Sequence, residues 1–223
     1  MTKSKVENAP KLKLYYFNIK GKGEPIRLLC AYAGLELDDF RFSSYQNFAD
    51  LKESGKLVFG QVPMLEVDGK HQLIQSGAIL RYLGKLTKLY PEDPLLAAKV
   101  DAVFDQETDA FTGATVASYT TRFGIELNDD SKEKCYELIS NEVFPRHLDS
   151  IESLLKSSSS GWIAGTEEPS TADFVWYTRL ADYIPAKKEL SDKVKSLEGF
   201  SSCKAFVEKF RSLDAIKEYY ESK

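Results

Sequence analysis

The chain has 223 residues, a formal net charge of −4 and 43% hydrophobic residues. This length allows one large domain or two modest ones, and the hydrophobic share is sufficient for a packed core. The weak negative charge argues against a surface that binds nucleic acid or anionic membranes.

The cysteines and the N-terminal segment favour a reduced, cytoplasmic protein. Cys30, Cys135 and Cys203 are odd in number and far apart, so they suggest neither a disulfide framework nor a zinc site. Only two histidines are present, too few for a histidine metal site. Residues 1–10 are polar and lack the apolar core of a secretory signal, and no run approaches membrane-spanning length. We expect a loose tail, a cytoplasmic location and no metal.

The first patterned segment predicts a strand followed by a helix. The run LKLYYF alternates along the chain, which places Tyr16 on the same side as Leu12 and Leu14. Glycines then interrupt the pattern. Pro25 suits the first turn of a helix, whose apolar residues recur at helical spacing until Gly34 ends it.

Further short elements follow before the chain changes character. The run FRF predicts a second strand, and QNFADLKESGK a short amphipathic helix or turn. Two short apolar runs flank Asp68-Gly69, which is a strong hairpin signal. A helical stripe then appears in SGAILRYLGKLTKL. The order β-α-β-α-β-β-α predicts a mixed four-stranded sheet with helices packed on it.

The remainder of the chain has helical patterns. YPEDPLLAAKV begins with prolines and acids, which predicts a linker. Leu95–Phe123 and Ser131–Lys156 predict two long helices, and in PSTADF the spacing predicts Ser170 as an N-cap to which Asp173 bonds back. We expect a tail at residues 1–10, an α/β domain at 11–89, a linker at 90–94 and an all-helical domain at 95–223.

Four motifs together resemble those of one enzyme family. LYYFNIKGKGEPIR, GQVPMLEVDG, LIQSGAILRYL and GWIAGTEEPSTADF occur in this order and at suitable spacing. They resemble the cytosolic glutathione transferases of the tyrosine type, most closely the sigma class and then the alpha class, from Lys11 to the end of the chain. The resemblance implies an α/β thioredoxin-like N-terminal domain plus an all-α C-terminal domain, a homodimer, glutathione as co-substrate and no metal.

The resemblance assigns the catalytic role to Tyr16 rather than Tyr15, because the family's active tyrosine directly precedes Phe-Asn. The alternative is a tyrosine packed in the core or at its rim. A free thiol has a pKa of about 8.5, so only about 3% is thiolate at neutral pH. A phenol, with a pKa of about 10, stays protonated and donates a hydrogen bond to sulfur. One charge-assisted bond, worth about 1.5–3 kcal/mol, supplies much of a thiol pKa shift of about 2 units.

The resemblance also assigns residues that bind the rest of glutathione. Pro63 is expected to be cis, which turns the backbone of Val62, with Gln61 beside it, so that the cysteinyl unit pairs with it like an added strand. Gln75 and Ser76 are expected at the γ-glutamyl end, where a helix N-terminus favours a carboxylate. The simpler role for Ser76 is the N-cap of that helix, and the two roles can coexist.

Three further positions of the glutathione site depend on spacing within the motifs. Lys52 stands where relatives place a basic residue that binds the glycyl carboxylate, and Phe48 where sigma enzymes often have tryptophan, although Phe48 lacks the indole donor. Lys22 stands where sigma and alpha relatives usually carry an arginine near the thiolate. It keeps the charge and loses the planar fork. For each lysine the alternative is a solvated side chain.

Other residues are expected to complete the site or the dimer. By resemblance Asp109 reaches the glutamyl amine in the partner's site, and its alternative is an exposed carboxylate on an acidic helix. Phe59 matches a residue that inserts into the partner subunit in the alpha class, and its alternative is a partly buried loop aromatic. Val116, Tyr119 and Phe123 are candidates for the wall of the second-substrate site.

The expected function is therefore a glutathione transferase for electrophilic, largely apolar substrates, as in detoxification. One alternative uses the same glutathione site for isomerisation, as in the prostaglandin D synthases among sigma relatives. Another is a non-catalytic carrier or structural protein. A thioredoxin- or omega-like redox role would need a cysteine at the start of the first helix. Cys30 lies instead in mid-helix on the apolar face, where a buried, inert thiol is expected.

Overall fold

The computed structural model describes residues 8–222, which form two compact units. The first unit contains the residues up to Pro91 together with the segment from Ser212, and the second is Glu92–Arg211. The segment from Ser212 was expected in the helical domain and groups with the first unit instead. Of the tail expected at residues 1–10, residues 1–7 lie outside the described part of the chain.

The first unit is built on a four-stranded sheet. Its elements are β1 (Leu12–Phe17), α1 (Glu24–Ala33), β2 (Leu37–Phe42), α2 (Tyr45–Glu53), β3 (Met64–Val67), β4 (His71–Ile74) and α3 (Ser76–Thr87). The strand order is β2-β1-β3-β4, with β1 parallel to β2 and antiparallel to β3, and β3 antiparallel to β4. This confirms the predicted element order and the mixed, thioredoxin-like sheet.

The alternation along β1 decides which face of the sheet is buried. Leu12, Leu14 and Tyr16 are buried, and the residues between them are half-buried. The β3–β4 hairpin turns at Asp68 and Gly69, which have φ values of 53° and 67°. Two successive positive φ values are the requirement of the tight hairpin turn that the Asp-Gly pair predicts.

The helices α1 and α3 pack against each other and supply the apolar side of the first unit. Pro25 stands in the first turn of α1, and Gly34 ends that helix with a φ of 66°. Cys30 lies on the buried face, and burial raises the pKa of its thiol to about 12. The thiol therefore stays protonated at neutral pH, which agrees with the inert role predicted for it.

The second unit is entirely helical. Its helices are α4 (Pro94–Ser118), α5 (Asp129–Leu138), α6 (Phe144–Ser157), α7 (Thr171–Thr178), α8 (Ile184–Ala186), α9 (Asp192–Lys195) and α10 (Ser201–Arg211). In the core of this unit the Trp176 indole N–H donates to the backbone oxygen of Val103 at 2.8 Å. Ser170 and Asp173 form the predicted capping box at the start of α7.

Both predicted long helices differ from expectation at their ends or in the middle. The first ends at Ser118 and continues as a 3-10 turn, Thr120–Phe123. The second is present but contains a π turn, Ile139–Val143, between α5 and α6. Pro145 is the second residue after this turn and has no N–H to donate to the preceding turn. The wider π turn accommodates the proline without ending the helix.

One last helix, α11 (Asp214–Glu221), packs against α1 within the first unit and fully buries Ile216. None of the helices in residues 8–222 combines the length and the apolar character needed to cross a membrane.

Candidate active site

Tyr16 ends the buried face of β1 and lies against the segment that follows the strand, residues 18–23, which we call the Tyr16 turn. The side chain is 7% exposed. Its phenol oxygen accepts a hydrogen bond from the backbone N–H of Lys22, with an N···O distance of 3.0 Å. An accepted bond uses an oxygen lone pair rather than the phenol proton, and it polarises the group toward donating.

Two glycines allow the Tyr16 turn to approach the phenol ring. A Cβ on Gly21 would lie 2.7 Å from the Tyr16 hydroxyl oxygen, and one on Gly23 would lie 2.6 Å from Tyr16 Cδ1. Real Cβ atoms do not make contacts this short. Glycine is therefore required at both positions for the observed packing, and at Gly21 also for its φ of 43°.

A buried ionic network lies beside the same turn. Arg27 and Glu24 of α1 are each 2% exposed, and Arg27 Nη1 donates to Glu24 Oε2 at 3.1 Å. The same nitrogen donates to the backbone oxygen of Ile19 at 2.9 Å, while Arg27 Nε donates to Asp39 of β2 at 2.9 Å. The guanidinium carbon lies 5.8 Å from the centroid of the Tyr16 ring. The network thus connects α1, β2 and the turn around Tyr16.

The segment before β3 holds the predicted peptide-binding edge. The Val62–Pro63 bond is cis, as predicted, and Pro63 is buried while Gln61 and Val62 are half-buried. Lys52, in the last turn of α2, lies against Gly60, just before this segment: a Cβ on Gly60 would lie 3.0 Å from Lys52 Cε. The structure therefore brings Lys52 close to the start of the Gln61–Pro63 segment.

The N-terminus of α3 has an unusual backbone. Gln75 has φ 73° and ψ 115°, a strained conformation for a residue with a side chain. Ser76 is the first residue of the helix, so the N-cap position belongs to Gln75, whose side chain makes no capping hydrogen bond. The simpler role predicted for Ser76, that of N-cap, is therefore wrong. The first-turn N–H groups remain suited to an anion.

Phe48 belongs to an aromatic cluster between the sheet and α2. Its ring centroid lies 5.2 Å from that of Phe17, 5.9 Å from Phe42 and 5.6 Å from Tyr45. Phe48 is half-buried. These contacts indicate packing that holds α2 against the sheet.

The remaining predicted residues are exposed or half-buried in their own units. Phe59, in the first unit, is 61% exposed. In the second unit Asp109 is exposed on α4, Val116 is half-buried in the last turns of α4, and Tyr119 and Phe123 are 59% and 45% exposed.

The sequence reasoning missed the ionic network and the part played by the Lys22 backbone. One signal was present: Glu24 and Arg27 are spaced i and i+3 in a helix whose other residues are mostly apolar. Charged residues on a helix that is buried on most sides need a partner, so the pair could have been inferred.

None of the predicted site residues lines the surface groove found in the first unit. This groove of about 820 Å³ lies at the start of β1, at the opposite end of the strand from Tyr16, and its lining mixes lysines with acids. Among residues 8–222, no group of three or more His, Cys, Asp or Glu side chains is arranged to hold a metal ion.

Two family profiles match the chain. The glutathione S-transferase N-terminal domain matches residues 12–85, and the glutathione S-transferase C-terminal domain matches residues 117–223. Glutathione S-transferase A4 of Mus musculus is 32% identical over 96% of this chain and 89% of its own length.

Two more relatives match most of the chain. Hematopoietic prostaglandin D synthase of Gallus gallus is 33% identical over 84% of this chain and 87% of its own length. A solved glutathione S-transferase of Caenorhabditis elegans is 32% identical, with a TM-score of 0.81 over 96% of this chain and 97% of that one. The chain therefore belongs to the family of glutathione S-transferases, enzymes that use glutathione as a co-substrate.

Proposed function

We propose that Tyr16 donates a hydrogen bond to the sulfur of bound glutathione and keeps it in the thiolate form, which attacks an electrophilic, largely apolar substrate. The observation that carries this proposal is the hydrogen bond from the Lys22 N–H to the Tyr16 oxygen. A phenol that is polarised by an N–H and held by a close-packed turn is a preorganised donor for an anion. It stabilises the thiolate without acting as a base, so no covalent enzyme intermediate is needed.

The other groups of glutathione are assigned to the neighbouring elements of the first unit. The cysteinyl unit would pair with the backbone of Val62, between Gln61 and Pro63, like an added strand. The γ-glutamyl carboxylate would bind the N-terminus of α3, at Gln75 and Ser76.

Two lysines and one phenylalanine are given supporting roles. Lys52 would bind the glycyl carboxylate, because its side chain lies against Gly60, the residue before the Gln61–Pro63 segment. Phe48 would contribute by fixing α2, which carries Lys52. The exposed Lys22 would supply positive charge near the sulfur, where a point charge orients less than an arginine fork does.

We further propose that the active form is a homodimer of sigma-class type. Phe59 and its neighbour Val58 are 61% and 74% exposed, and an adjacent pair of exposed apolar side chains suits a protein–protein contact. Asp109 would then reach the glutamyl amine in the partner's site. The wall of the second-substrate site is assigned to Val116, Tyr119 and Phe123.

A cytoplasmic location and a role in detoxification belong to the same proposal. Cys30 and Cys203 are free and buried, and Cys135 is free and half-buried, which suits a reducing compartment.

The test of the mechanism is Tyr16→Phe, which removes one hydroxyl and keeps the ring. We expect turnover with chlorodinitrobenzene to fall by about 10-fold or more, with little change in glutathione affinity. The thiol of bound glutathione, followed by its ultraviolet thiolate absorbance, should titrate at higher pH.

The matched control is Tyr15→Phe, because Tyr15 is on the same strand and its ring faces Phe40 at 5.3 Å on the other side of the sheet. Unchanged turnover in Tyr16→Phe would remove this tyrosine from the mechanism. A wild-type chain that binds glutathione only as a neutral thiol would favour a non-catalytic carrier.

A second candidate is glutathione-dependent isomerisation, favoured by the likeness to a protein named hematopoietic prostaglandin D synthase. It would use the same thiolate site and differ only in the second substrate. A steady-state screen separates the two: conjugation consumes glutathione with halogenated or unsaturated electrophiles, whereas isomerisation of a prostaglandin endoperoxide returns glutathione unchanged.

A further inference from the structure

The C-terminal helix α11 contacts the Tyr16 turn and the network beside it. Tyr219 donates a hydrogen bond to Glu24 Oε1 at 3.1 Å. Lys20, a residue of the turn, places its Nζ 5.0 Å from the ring centroid of Tyr220. Ile216, one turn earlier, is fully buried, and α11 packs against α1. Two adjacent tyrosines of α11 therefore contact the two structures that hold Tyr16.

A continuous line of hydrogen bonds runs from Tyr219 to the turn. Glu24 accepts from Tyr219 through Oε1 and from Arg27 through Oε2. Arg27 Nη1 in turn donates to the backbone oxygens of Ile19 at 2.9 Å and Lys20 at 3.4 Å. The same turn carries the Lys22 N–H that bonds to Tyr16. Every group in this line belongs to the first unit.

The orientation of Arg27 is set through two of its three side-chain nitrogens. Its Nη2 is buried and has no hydrogen-bond partner among the described residues. The guanidinium is therefore held through Nε, by Asp39, and through Nη1, by Glu24 and the turn carbonyls. A change at Glu24 is transmitted to the turn because Nη1 is shared between the carboxylate and the carbonyls.

Tyr219 is suited to fix Glu24. Burial, followed by the charge of Glu24 and the hydrogen bond to it, raises the pKa of Tyr219, so the hydroxyl keeps its proton and donates throughout the neutral range. A buried carboxylate is costly unless its oxygens are satisfied. Without the hydroxyl, Glu24 Oε1 loses this donor, and the carboxylate is free to rotate or to attract water.

We propose that Tyr219 is a positioning residue for the glutathione thiol site, acting through Glu24 and Arg27 on the turn that carries the Lys22 N–H. This deepens the proposed function and depends on it for the catalytic readout. The C-terminal helix is then part of the thiolate-stabilising machinery, acting through Glu24 and Arg27.

The test is Tyr219→Phe in the full-length chain, with Glu24→Gln as a second variant that keeps the side-chain volume. We expect the pH at which bound glutathione ionises to rise, and turnover with chlorodinitrobenzene near pH 6.5 to fall by roughly 2- to 5-fold, with the KM for glutathione little changed. Backbone amides of residues 18–23 should exchange hydrogen faster than in the wild type. Adding Tyr219→Phe to Tyr16→Phe should produce no further loss of turnover.

Tyr15→Phe is the control for removal of a tyrosine hydroxyl in the first unit. A lower melting temperature in Tyr219→Phe, with an unchanged pH profile and unchanged exchange in the turn, would mean a stabilising role only and would overturn the proposal. A full effect of Tyr219→Phe in the Tyr16→Phe background would also overturn it. Failure of Tyr16 as the thiolate donor is separate, because it is read from the single Tyr16→Phe variant.

Discussion

Gly23 determines how closely the turn packs on the catalytic tyrosine proposed here. A Cβ at this position would lie 2.6 Å from Tyr16 Cδ1 and 3.2 Å from Arg27 Nη1. The backbone itself is not strained, because Gly23 has φ −81°. A substitution therefore acts through the steric contact of its Cβ with the Tyr16 ring and not through backbone conformation. This makes Gly23 a direct probe of the Tyr16 position.

We predict that Gly23→Ala displaces the Tyr16 ring and weakens thiolate stabilisation. Turnover should fall by roughly 10-fold or more, since small misplacements of a reacting group are costly, and overpacking should lower the free energy of unfolding by about 1–3 kcal/mol. The measurements are steady-state kinetics and the pH titration of bound glutathione.

Gly113→Ala is the matched control for this substitution. Gly113 lies within α4, and a Cβ there meets only Ile139, at an ordinary distance of 3.6 Å. The control should leave kinetics unchanged and slightly stabilise the helix. Wild-type kinetics in Gly23→Ala would show that Tyr16 is not sensitive to the turn.

At the scale of single residues, the sequence could predict on which face of β1 Tyr16 lies, but not which groups surround it. The alternation of β1 was enough to place the phenol on the buried face. The Lys22 N–H and the Arg27–Asp39 ion pair were not predictable, because they join β1, α1 and β2 through contacts between residues separated along the chain. Local spacing contains no information on such contacts.

Glu152 shows how one element of the second unit holds another. Its carboxylate, on α6, is buried and accepts hydrogen bonds from the backbone N–H groups of Ser202, at 2.9 Å and 3.0 Å, and of Cys203, at 2.9 Å. These are first-turn N–H groups of α10, so a side chain from α6 caps α10. Burial alone would raise the pKa of Glu152, but these bonds and Lys156 lower it from about 4.5 to about 2.

We predict that the Glu152 cap gives the second unit a pH-dependent stability. Because the folded pKa is lowered, the stabilisation is complete above the unfolded value near pH 4.5 and is lost as the pH falls toward 2. At neutral pH it amounts to about 3 kcal/mol at most. Glu152→Ala should lower the free energy of unfolding by about 2–4 kcal/mol at pH 7, and Glu152→Gln by less.

Urea unfolding followed by tryptophan fluorescence measures this, because Trp162 and Trp176 are the only tryptophans and both are buried in the second unit. Both variants should flatten the loss of stability between about pH 5 and pH 3. Glu208→Gln, at an exposed glutamate of α10, is the control and should keep the wild-type slope. A wild-type slope in Glu152→Gln would contradict the assignment.

For the second unit, the sequence predicted that the long helices exist but not the irregular turns within them. The long apolar patterns indicated both long helices, and S-x-x-D correctly indicated the capping box at Ser170. The π turns Ile139–Val143 and Arg179–Tyr183 were missed, although each is followed by a proline, Pro145 or Pro185. A proline in a helical pattern suggests an end or a kink, and the pattern alone does not show that a wider turn absorbs it.

At the scale of the whole molecule, the order of the two units follows from the change in sequence pattern near residue 90. The return of α11 to the first unit does not, because an amphipathic helix of eight residues shows which face it buries but not against which partner. The packing of α11 on α1, with the contacts of Tyr219 and Tyr220, shows where this helix belongs.

The proposed homodimer gives the last prediction. Phe59 is 61% exposed and is followed by Gly60 and the segment proposed to bind glutathione, so a partner that covers Phe59 would also fix the loop next to the proposed site. We predict that Phe59→Ser raises the dimer dissociation constant by roughly 10-fold or more, because a central aromatic anchor carries a large share of interface energy. Sedimentation over a dilution series measures this directly.

The KM for glutathione should rise as the Phe59→Ser dimer dissociates. Asp109 would then no longer reach the glutamyl amine of the glutathione bound in the partner's site. Leu154→Ser is the control: Leu154 is an apolar residue 40% exposed on α6, and its loss should change neither mass nor kinetics. An Asp109→Asn variant should raise the KM without changing the mass, which separates the loss of the carboxylate from the loss of the dimer. A wild-type chain that sediments as a monomer at micromolar concentration, yet is fully active, would refute both the interface and the shared site.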